Sequence, residues 1–216
     1  MADQSRMPKK GNGDTLLIAC GALAHEIIAL NRANQWDCFT VECIPAKIHW
    51  SPKKIPAAIQ EKIHTSRGKF KHIYVLFGDC GTAGELDTML EKEGIERIGG
   101  PHCFPFLAGN DHFEEMADGE GISAFYLTDF MVKHFDKFFW EGLWLDKHPE
   151  LLPMYFGNYT KVIYTAQIED QKMQQAALAI ANRLGLEYEY RYTGYGDLQT
   201  YMRDTANTVI PITTAT

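Results

Sequence analysis

The sequence predicts an α/β fold, in which a mainly parallel sheet carries helices on both of its faces. Short apolar runs of strand length alternate about five times with longer segments whose apolar residues recur at helical spacing. Some of the strand runs, such as His72–Phe77, are apolar without interruption, as expected for strands that are buried on both faces.

The strands are predicted from runs of β-branched, aromatic and aliphatic residues: Thr15–Cys20, Cys38–Ile44, His72–Phe77, Ile122–Leu127, Val162–Thr165 and the alternating edge strand Leu186–Tyr192. The helices are predicted from helical spacing: residues 24–34, Lys53–Ser66, Gly84–Lys92, Thr128–Trp140 and Asp170–Leu184. Thr128 and Asp170 are expected N-caps, and Gly185 is the expected C-cap of the last helix. Because ligands of such sheets bind beyond the carboxyl ends of the strands, the strand-to-helix turns should carry the chemistry.

The composition favours one folded domain. Of the 216 residues, 45% are hydrophobic and 23% are charged, which are ordinary proportions for a globular protein. We expect a single domain over residues 15–208, a loose leader over residues 1–14 and a loose tail over residues 209–216.

Charge and hydropathy exclude several classes of partner. The net charge is −7 and there is no long run of Lys or Arg, so a nucleic-acid surface is not expected. No apolar run approaches the ~20 residues of a membrane span, and residues 1–14 are polar and lack the apolar stretch of a signal peptide, so no export signal is expected. A cytoplasmic protein is therefore expected, in which the five cysteines are reduced.

Three cysteines lie in turns that follow predicted strands. Cys20 ends the first strand, Cys80 lies in the turn Gly78–Gly84 after the third strand, and Cys103 follows the short segment Glu96–Ile98. Each has a glycine within a few positions, which lets the backbone turn sharply and approach a ligand closely. If the strands are parallel, the three sulfur atoms should meet at one rim of the sheet.

Thiolate and imidazole groups are the ligands of zinc and of iron–sulfur centres. The predicted metal ligands are therefore Cys20, Cys80, Cys103 and the adjacent His102, and either His25 or Glu26 is a fifth candidate. Zinc is the first expectation, and iron or an iron–sulfur cluster is the alternative. A zinc–thiolate site of this kind could take a small-molecule substrate.

Other residues of these turns are candidates for supporting roles. Glu26 and Asp79 are predicted acid/base groups beside the metal. The Gly-rich turn offers Gly78, Gly81 and Thr82 as cofactor-binding residues, although it matches neither the GxGxxG nor the GK[ST] pattern. Tyr195 is a fourth candidate, because its aromatic–glycine segment follows the last strand and could line a pocket. Cys38 and Cys43 lie within a strand pattern and are expected to be packing residues.

Two other hypotheses remain open. The aromatic stripe from Phe130 to Trp144 could form a docking surface or a homodimer interface, in which case the protein would be a non-catalytic adaptor. Alternatively, the protein could be a metal-free cysteine hydrolase or transferase, with Cys80 as nucleophile, His25 or His102 as base, and Asp79 or Asp129 orienting the imidazole. For Asp129 taken alone, helix capping is the better reading.

Six blocks, in order along the chain, carry a resemblance to a known family: IACGALAHEI, YVLFGDCGTAGELDTML, GGPHCFPFLAG, FYLTDFMVKHFD, MYFGNYTKVIYTAQ and RYTGYGDL. Together they resemble a family of bacterial and archaeal proteins labelled only as a domain of unknown function. Members of that family often look to be encoded beside trimethylamine-type methyltransferases, corrinoid proteins and corrinoid activators. The resemblance therefore implies a role near corrinoid-dependent one-carbon transfer, with a corrinoid protein or methyltransferase as partner and the corrinoid supplied by that partner.

Overall fold

The computed structural model describes residues 13–111 and 123–209. Within these ranges the protein has an α/β fold with two parallel three-stranded sheets, which confirms the predicted class. The strands that the sequence assigned to one sheet are divided between two sheets.

The strands of the first sheet lie in the order β2–β1–β3, and those of the second lie in the order β4–β5–β6. All four pairings are parallel. The strands are β1 (Thr15–Cys20), β2 (Phe39–Ile44), β3 (His72–Leu76), β4 (Ala124–Leu127), β5 (Lys161–Ala166) and β6 (Glu187–Tyr192).

Helices precede or follow the strands along the chain. The α-helices are α1 (Ala24–Ala33), α2 (Ile55–Ser66), α3 (Glu85–Glu93), α4 (Pro105–Ala108), α5 (Asp129–Phe135), α6 (Leu152–Phe156), α7 (Gln171–Leu184) and α8 (Gly196–Val209). Shorter 3₁₀ turns cover Gly21–Leu23, Ala46–Trp50, Pro52–Lys54 and Pro149–Leu151, and a π-helical turn covers Asp136–Trp140. None of the helices that the structure describes combines the length and the apolar character required to cross a lipid bilayer.

The chain forms two compact units. Of the described residues, the first unit contains 13–103 and 198–209, and the second contains 104–111 and 123–197. Every residue of β1 is buried, and all of them except Thr15 are apolar, as expected of the central strand of a parallel sheet. The core of the second unit is built around β5 and α7, with Tyr164 among its largest buried side chains. The expectation of one domain over residues 15–208 stays a prediction.

Most element boundaries agree with the sequence analysis to within a few residues. Thr128 and Asp170 accept hydrogen bonds from the first turns of α5 and α7, as expected of N-caps. The sequence analysis missed α8, in which Leu198, Met202 and Ala206 are buried at helical spacing. Residues 1–12 of the predicted leader, Ile122 at the start of a predicted strand, and residues 210–216 of the predicted tail lie outside the described residues.

The register of the first sheet brings the carboxyl ends of its strands to one rim. Cys20 pairs with Ile44, and Ala19 pairs with Leu76. A fourth segment runs parallel beside β3, where Arg97 forms a bridge with Val75. Any residue that follows these strands within a few positions therefore emerges on the same side of the first unit.

Candidate metal centre

Four donor side chains meet at this rim of the first sheet. The donor atoms of Cys20, His49 and Cys103 all lie within 4.8 Å of one another. The Sγ atom of Cys80 lies 3.5 Å from Sγ of Cys103 and accepts a hydrogen bond from the His49 ring. The expected convergence of three cysteines is confirmed by these distances, and their role as metal ligands stays a prediction.

Backbone groups hold the sulfur atoms of two of these cysteines. Sγ of Cys20 accepts a hydrogen bond from the Ala22 amide at 3.4 Å, as the N-cap of the turn Gly21–Leu23. Sγ of Cys103 accepts one from the Gly78 amide, also at 3.4 Å. Amide donors of this kind stabilise negative charge on sulfur, and they fix where the sulfur atom lies.

His49 is oriented on two sides. Its Nδ1 lies 2.7 Å from the carbonyl oxygen of Ala46, one turn earlier in the 3₁₀ segment that follows β2. The imidazole also stacks on the buried Phe77 ring, with 5.7 Å between centroids and 10° between planes. Because Nδ1 is engaged by a carbonyl, Nε2 is the nitrogen that remains for the sulfur cluster, which is the usual arrangement of a metal-binding histidine.

The turn that carries Cys80 is built from left-handed backbone. Cys80 has φ of 50° and Ala83 has φ of 54°, and Gly81 and Gly84 adopt 85° and 83°. A side chain with a Cβ atom is disfavoured in this region by about 1–2 kcal/mol for each residue. Hydrogen bonds to the neighbouring turn offset this strain, since the Asp79 and Cys80 amides donate to the carbonyls of Gly100 and Pro101.

Arg97 ties this neighbouring turn to α3. Its guanidinium forms two hydrogen bonds with the Asp87 carboxylate, at 2.5 and 2.8 Å. The same group donates to the carbonyl oxygens of Ile98 at 2.8 Å and of Gly100 at 3.2 Å. The position of Cys103, three residues beyond Gly100, is therefore supported by a bidentate ion pair.

The protonation states of the cluster are interdependent. The hydrogen bond from Cys103 lowers the pKa of Cys80 to about 3, in spite of its burial, with further help from His102 and His49. The same donor lowers the pKa of Cys20. The Cys103 pKa is raised well above its ordinary value, because its hydrogen bonds to Cys20 and Cys80 and its burial all favour the thiol.

His49 carries the compensating positive charge. Burial alone would lower its pKa, but the hydrogen bond to Cys80 and the negative charges of Cys20 and Cys80 raise the pKa to about 9. At neutral pH the metal-free cluster thus carries a thiolate on Cys80, a thiol on Cys103 and an imidazolium on His49, and the lowered pKa of Cys20 favours its thiolate form. Thiolates are the form in which cysteine binds metals, and binding would release the remaining protons.

His102 and Asp79 do not belong to the compact group, which is the set of three donors Cys20, His49 and Cys103. His102 hydrogen-bonds to Cys80 and is exposed, whereas His49 is the histidine that lies with Cys20 and Cys103. The Asp79 carboxylate accepts hydrogen bonds from the Thr82 hydroxyl at 2.5 Å and from the Gly84 amide at 2.9 Å. These bonds lower the pKa of Asp79, and they favour a turn-stabilising role over the predicted acid/base role.

The predicted cofactor-binding residues Gly78, Gly81 and Thr82 also shape the turns. Gly78 is required by close packing, because a Cβ atom there would lie 2.6 Å from the carbonyl carbon of His102. Thr82 is buried and bonded to Asp79, and Gly81 adopts left-handed backbone. Their cofactor role stays a prediction, as does that of Tyr195, which belongs to the second unit.

The remaining predicted residues lie elsewhere. Glu26 is buried in the first turn of α1, and its acid/base role stays a prediction. Asp129 belongs to the second unit, where it accepts hydrogen bonds from the Tyr164 hydroxyl at 2.7 Å and the Gln167 amide at 3.1 Å. Asp129 thus links the start of α5 to the end of β5, which fits a structural role.

The aromatic stripe that motivated the adaptor hypothesis is partly buried in the second unit. Phe135 packs in the core and stacks on Phe139, and Trp140 lies under the Arg183 guanidinium at 3.4 Å. Trp144 is the exposed member, with 57% of its surface accessible. Part of the stripe therefore supplies packing, and the adaptor hypothesis stays a prediction.

The sequence analysis did not identify His49. This histidine lies five residues beyond the end of β2 (Ile44) in the segment PAKIHW, and no glycine marks that turn. The available signal was its place after a strand that is parallel to β1, because such a residue must emerge at the rim where Cys20 lies.

The fold and the site together define the class of this protein: it is an α/β protein with a buried Cys/His group that could bind a metal. It belongs to the family described as protein of unknown function DUF1638, whose model matches residues 43–202. The matched range contains His49, Cys80 and Cys103, and Cys20 precedes it. Comparison with curated proteins and with solved structures finds no match.

Gly78→Ala should destabilise the protein by about 1–3 kcal/mol, because the added methyl group forces the turn of Cys103 away from β3. Gly99→Ala is the matched control, since a Cβ atom there meets no heavy atom within 4 Å. Urea denaturation of both variants measures the difference. An equal loss of stability in the two variants would contradict the packing argument.

Iodoacetamide at pH 7 should alkylate Cys80 of the metal-free protein before Cys43, although Cys43 is the exposed residue. The pKa of Cys43 is raised to about 11, chiefly by burial of its thiol, so only about one molecule in 10⁴ carries the reactive thiolate. Peptide mass spectrometry over time gives both rates. Faster labelling of Cys43 would show that Cys80 is not held as a thiolate.

Proposed function

We propose that the protein binds one zinc ion through Cys20, His49, Cys103 and Cys80, and that it acts in corrinoid-dependent methyl transfer. The observation that carries the proposal is the convergence of three sulfur donors and one imidazole at the rim of the first sheet. These donors come from four different turns, which have no other evident reason to bring thiols into contact.

The spacing of the sulfur atoms favours a single ion. In a tetrahedral zinc site with Zn–S bonds of about 2.3 Å, two ligand sulfurs lie about 3.8 Å apart. The separation of 3.5 Å between Cys80 and Cys103 is close to this value. An iron–sulfur cluster would need space for several irons and sulfides between the thiolates, and sulfur atoms in contact leave none.

The donor set also fits zinc chemically. Three thiolates with one imidazole are a recognised set for zinc, whereas calcium and magnesium require oxygen ligands. The carbonyl of Ala46 orients His49, and amides support Cys20 and Cys103, so the ligands are held by groups outside the coordination shell.

Elemental analysis tests the metal site directly. Protein purified without a His-tag should contain about one zinc per chain, and Cys103→Ser and His49→Ala should lose most of it. Cys43→Ser is the matched control, because Cys43 is exposed on β2 and is not part of the cluster; it should retain the metal. Substoichiometric zinc in the wild type, or retention in Cys103→Ser, would refute the site.

Methyl transfer is the chemistry that a zinc–thiolate site supports most directly. A zinc ion stabilises the thiolate form of a bound thiol at neutral pH, and a thiolate is a nucleophile for a methyl group carried on cobalt. The resemblance to a family whose members often look to be encoded beside corrinoid proteins and methyltransferases also supports a role in methyl transfer. On this proposal the corrinoid arrives with a partner protein.

Methylcobalamin with 2-mercaptoethanol as acceptor tests this part of the proposal. Zinc-loaded protein should accelerate loss of the methylcobalamin spectrum at least about tenfold, which corresponds to about 1.4 kcal/mol of the barrier. Mass spectrometry should detect the methyl thioether. Cys103→Ser is the control that lacks the metal. Equal rates with the two proteins would contradict the proposed methyl transfer to thiols, and they would not contradict the metal site.

A further inference from the structure

We propose that Cys80 is the exchangeable ligand of the metal site, and that a small thiol takes its place as substrate. This inference rests on the proposed zinc site and names the class of substrate for it. Three features of Cys80 distinguish it from the other donors: its place relative to the compact group, the partners of its sulfur atom, and its backbone.

The compact group is complete without Cys80. Cys20, His49 and Cys103 place one donor atom each within 4.8 Å of the others. Three protein ligands and one further position describe a catalytic zinc site, in which the fourth position receives water or substrate. Cys80 is the donor that stands beside this triple, 3.5 Å from Cys103.

The sulfur atoms differ in what holds them. Backbone amides of Ala22 and Gly78 fix Cys20 and Cys103, and these amides move only if the chain moves. The Cys80 sulfur instead forms hydrogen bonds with three side chains, those of Cys103, His102 and His49. Side-chain partners can follow or release a moving ligand without any change in the fold.

The backbone of Cys80 is held independently of its side chain. Its φ of 50° is uncommon for a residue with a Cβ atom, and Ala83 and the two glycines of the same turn are also left-handed. Hydrogen bonds from the Asp79 and Cys80 amides to the carbonyls of Gly100 and Pro101 hold this conformation. Only the Cys80 side chain therefore has to turn away to admit another ligand, and the turn keeps its backbone.

The exposed His102 ring hydrogen-bonds to Cys80. Cys20 is fully buried, whereas Cys80 and Cys103 are each 7% exposed. A ligand that enters beside His102 meets Cys80 before it meets Cys20. A thiol is the substrate class that fits, because it replaces one sulfur ligand by another and preserves the donor set that the metal prefers.

The exchange balances without any redox partner. The incoming thiol forms a metal–sulfur bond as the metal–Cys80 bond breaks, and the proton of the incoming thiol passes to the released Cys80 thiolate. The products are a metal-bound substrate thiolate and a neutral Cys80 thiol. The reverse reaction restores the resting site after the substrate leaves.

Cobalt-substituted protein tests this exchange, because sulfur-to-cobalt charge-transfer absorption reports the thiolate ligands. Cys80→Gly is the informative variant, since glycine adopts the left-handed backbone of this turn without strain. It should bind one equivalent of cobalt with weaker charge-transfer absorption than the wild type. Added 2-mercaptoethanol should restore that absorption, with half-saturation at a concentration about tenfold lower than the wild type requires, because no internal ligand competes.

Two controls accompany this test. Cys43→Ser should behave like the wild type, and ethylene glycol, the oxygen analogue, should leave the spectrum of Cys80→Gly unchanged. Loss of cobalt from Cys80→Gly, or a spectrum that 2-mercaptoethanol does not restore, would overturn the inference and leave a closed, four-ligand site. A wild type that binds neither cobalt nor zinc would instead overturn the proposed metal site.

Discussion

The candidate site depends on one constraint, the parallel pairing of β1 with both β2 and β3. Because all three strands run the same way, their carboxyl ends meet at one rim, and the register places Cys20 opposite Ile44. The bridge between Val75 and Arg97 adds a fourth segment in the same direction. Four turns that are distant in sequence thus emerge side by side, and each contributes one donor.

The sequence predicted the parts of this arrangement that follow from strand order and local signals. An uninterrupted apolar run and a glycine-marked turn identified Cys20 and Cys80, and parallel strands implied that their sulfurs would meet. The sequence did not reveal His49, because no glycine or strand end adjoins it. The division into two sheets was not predicted either, because an apolar run has the same sequence pattern whichever sheet its strand joins. Helix α8 was missed because a helical spacing of only a few apolar residues, such as Leu198 and Met202, is a weak signal.

Several residues for which the sequence predicts a chemical role also hold the cysteines in place. Asp79 and Thr82 fasten the Cys80 turn, and Gly78 admits the backbone of the turn that carries Cys103. The functional and structural readings of a Gly-rich turn are therefore not exclusive. Glycine and aspartate allow the backbone conformation, and that conformation in turn directs the sulfur atom.

The donors are separated by long stretches of chain, from Cys20 to Cys103, so the unfolded polypeptide offers no preformed cage. An ion bound at this rim would act as a cross-link between β1, the segment after β2 and the two turns beyond β3, closing three loops at once. Binding of the ion would then follow folding. Because the ion would bind the folded state and not the unfolded chain, it would raise the free energy of unfolding of the first unit, and the rise would grow with the concentration of free ion.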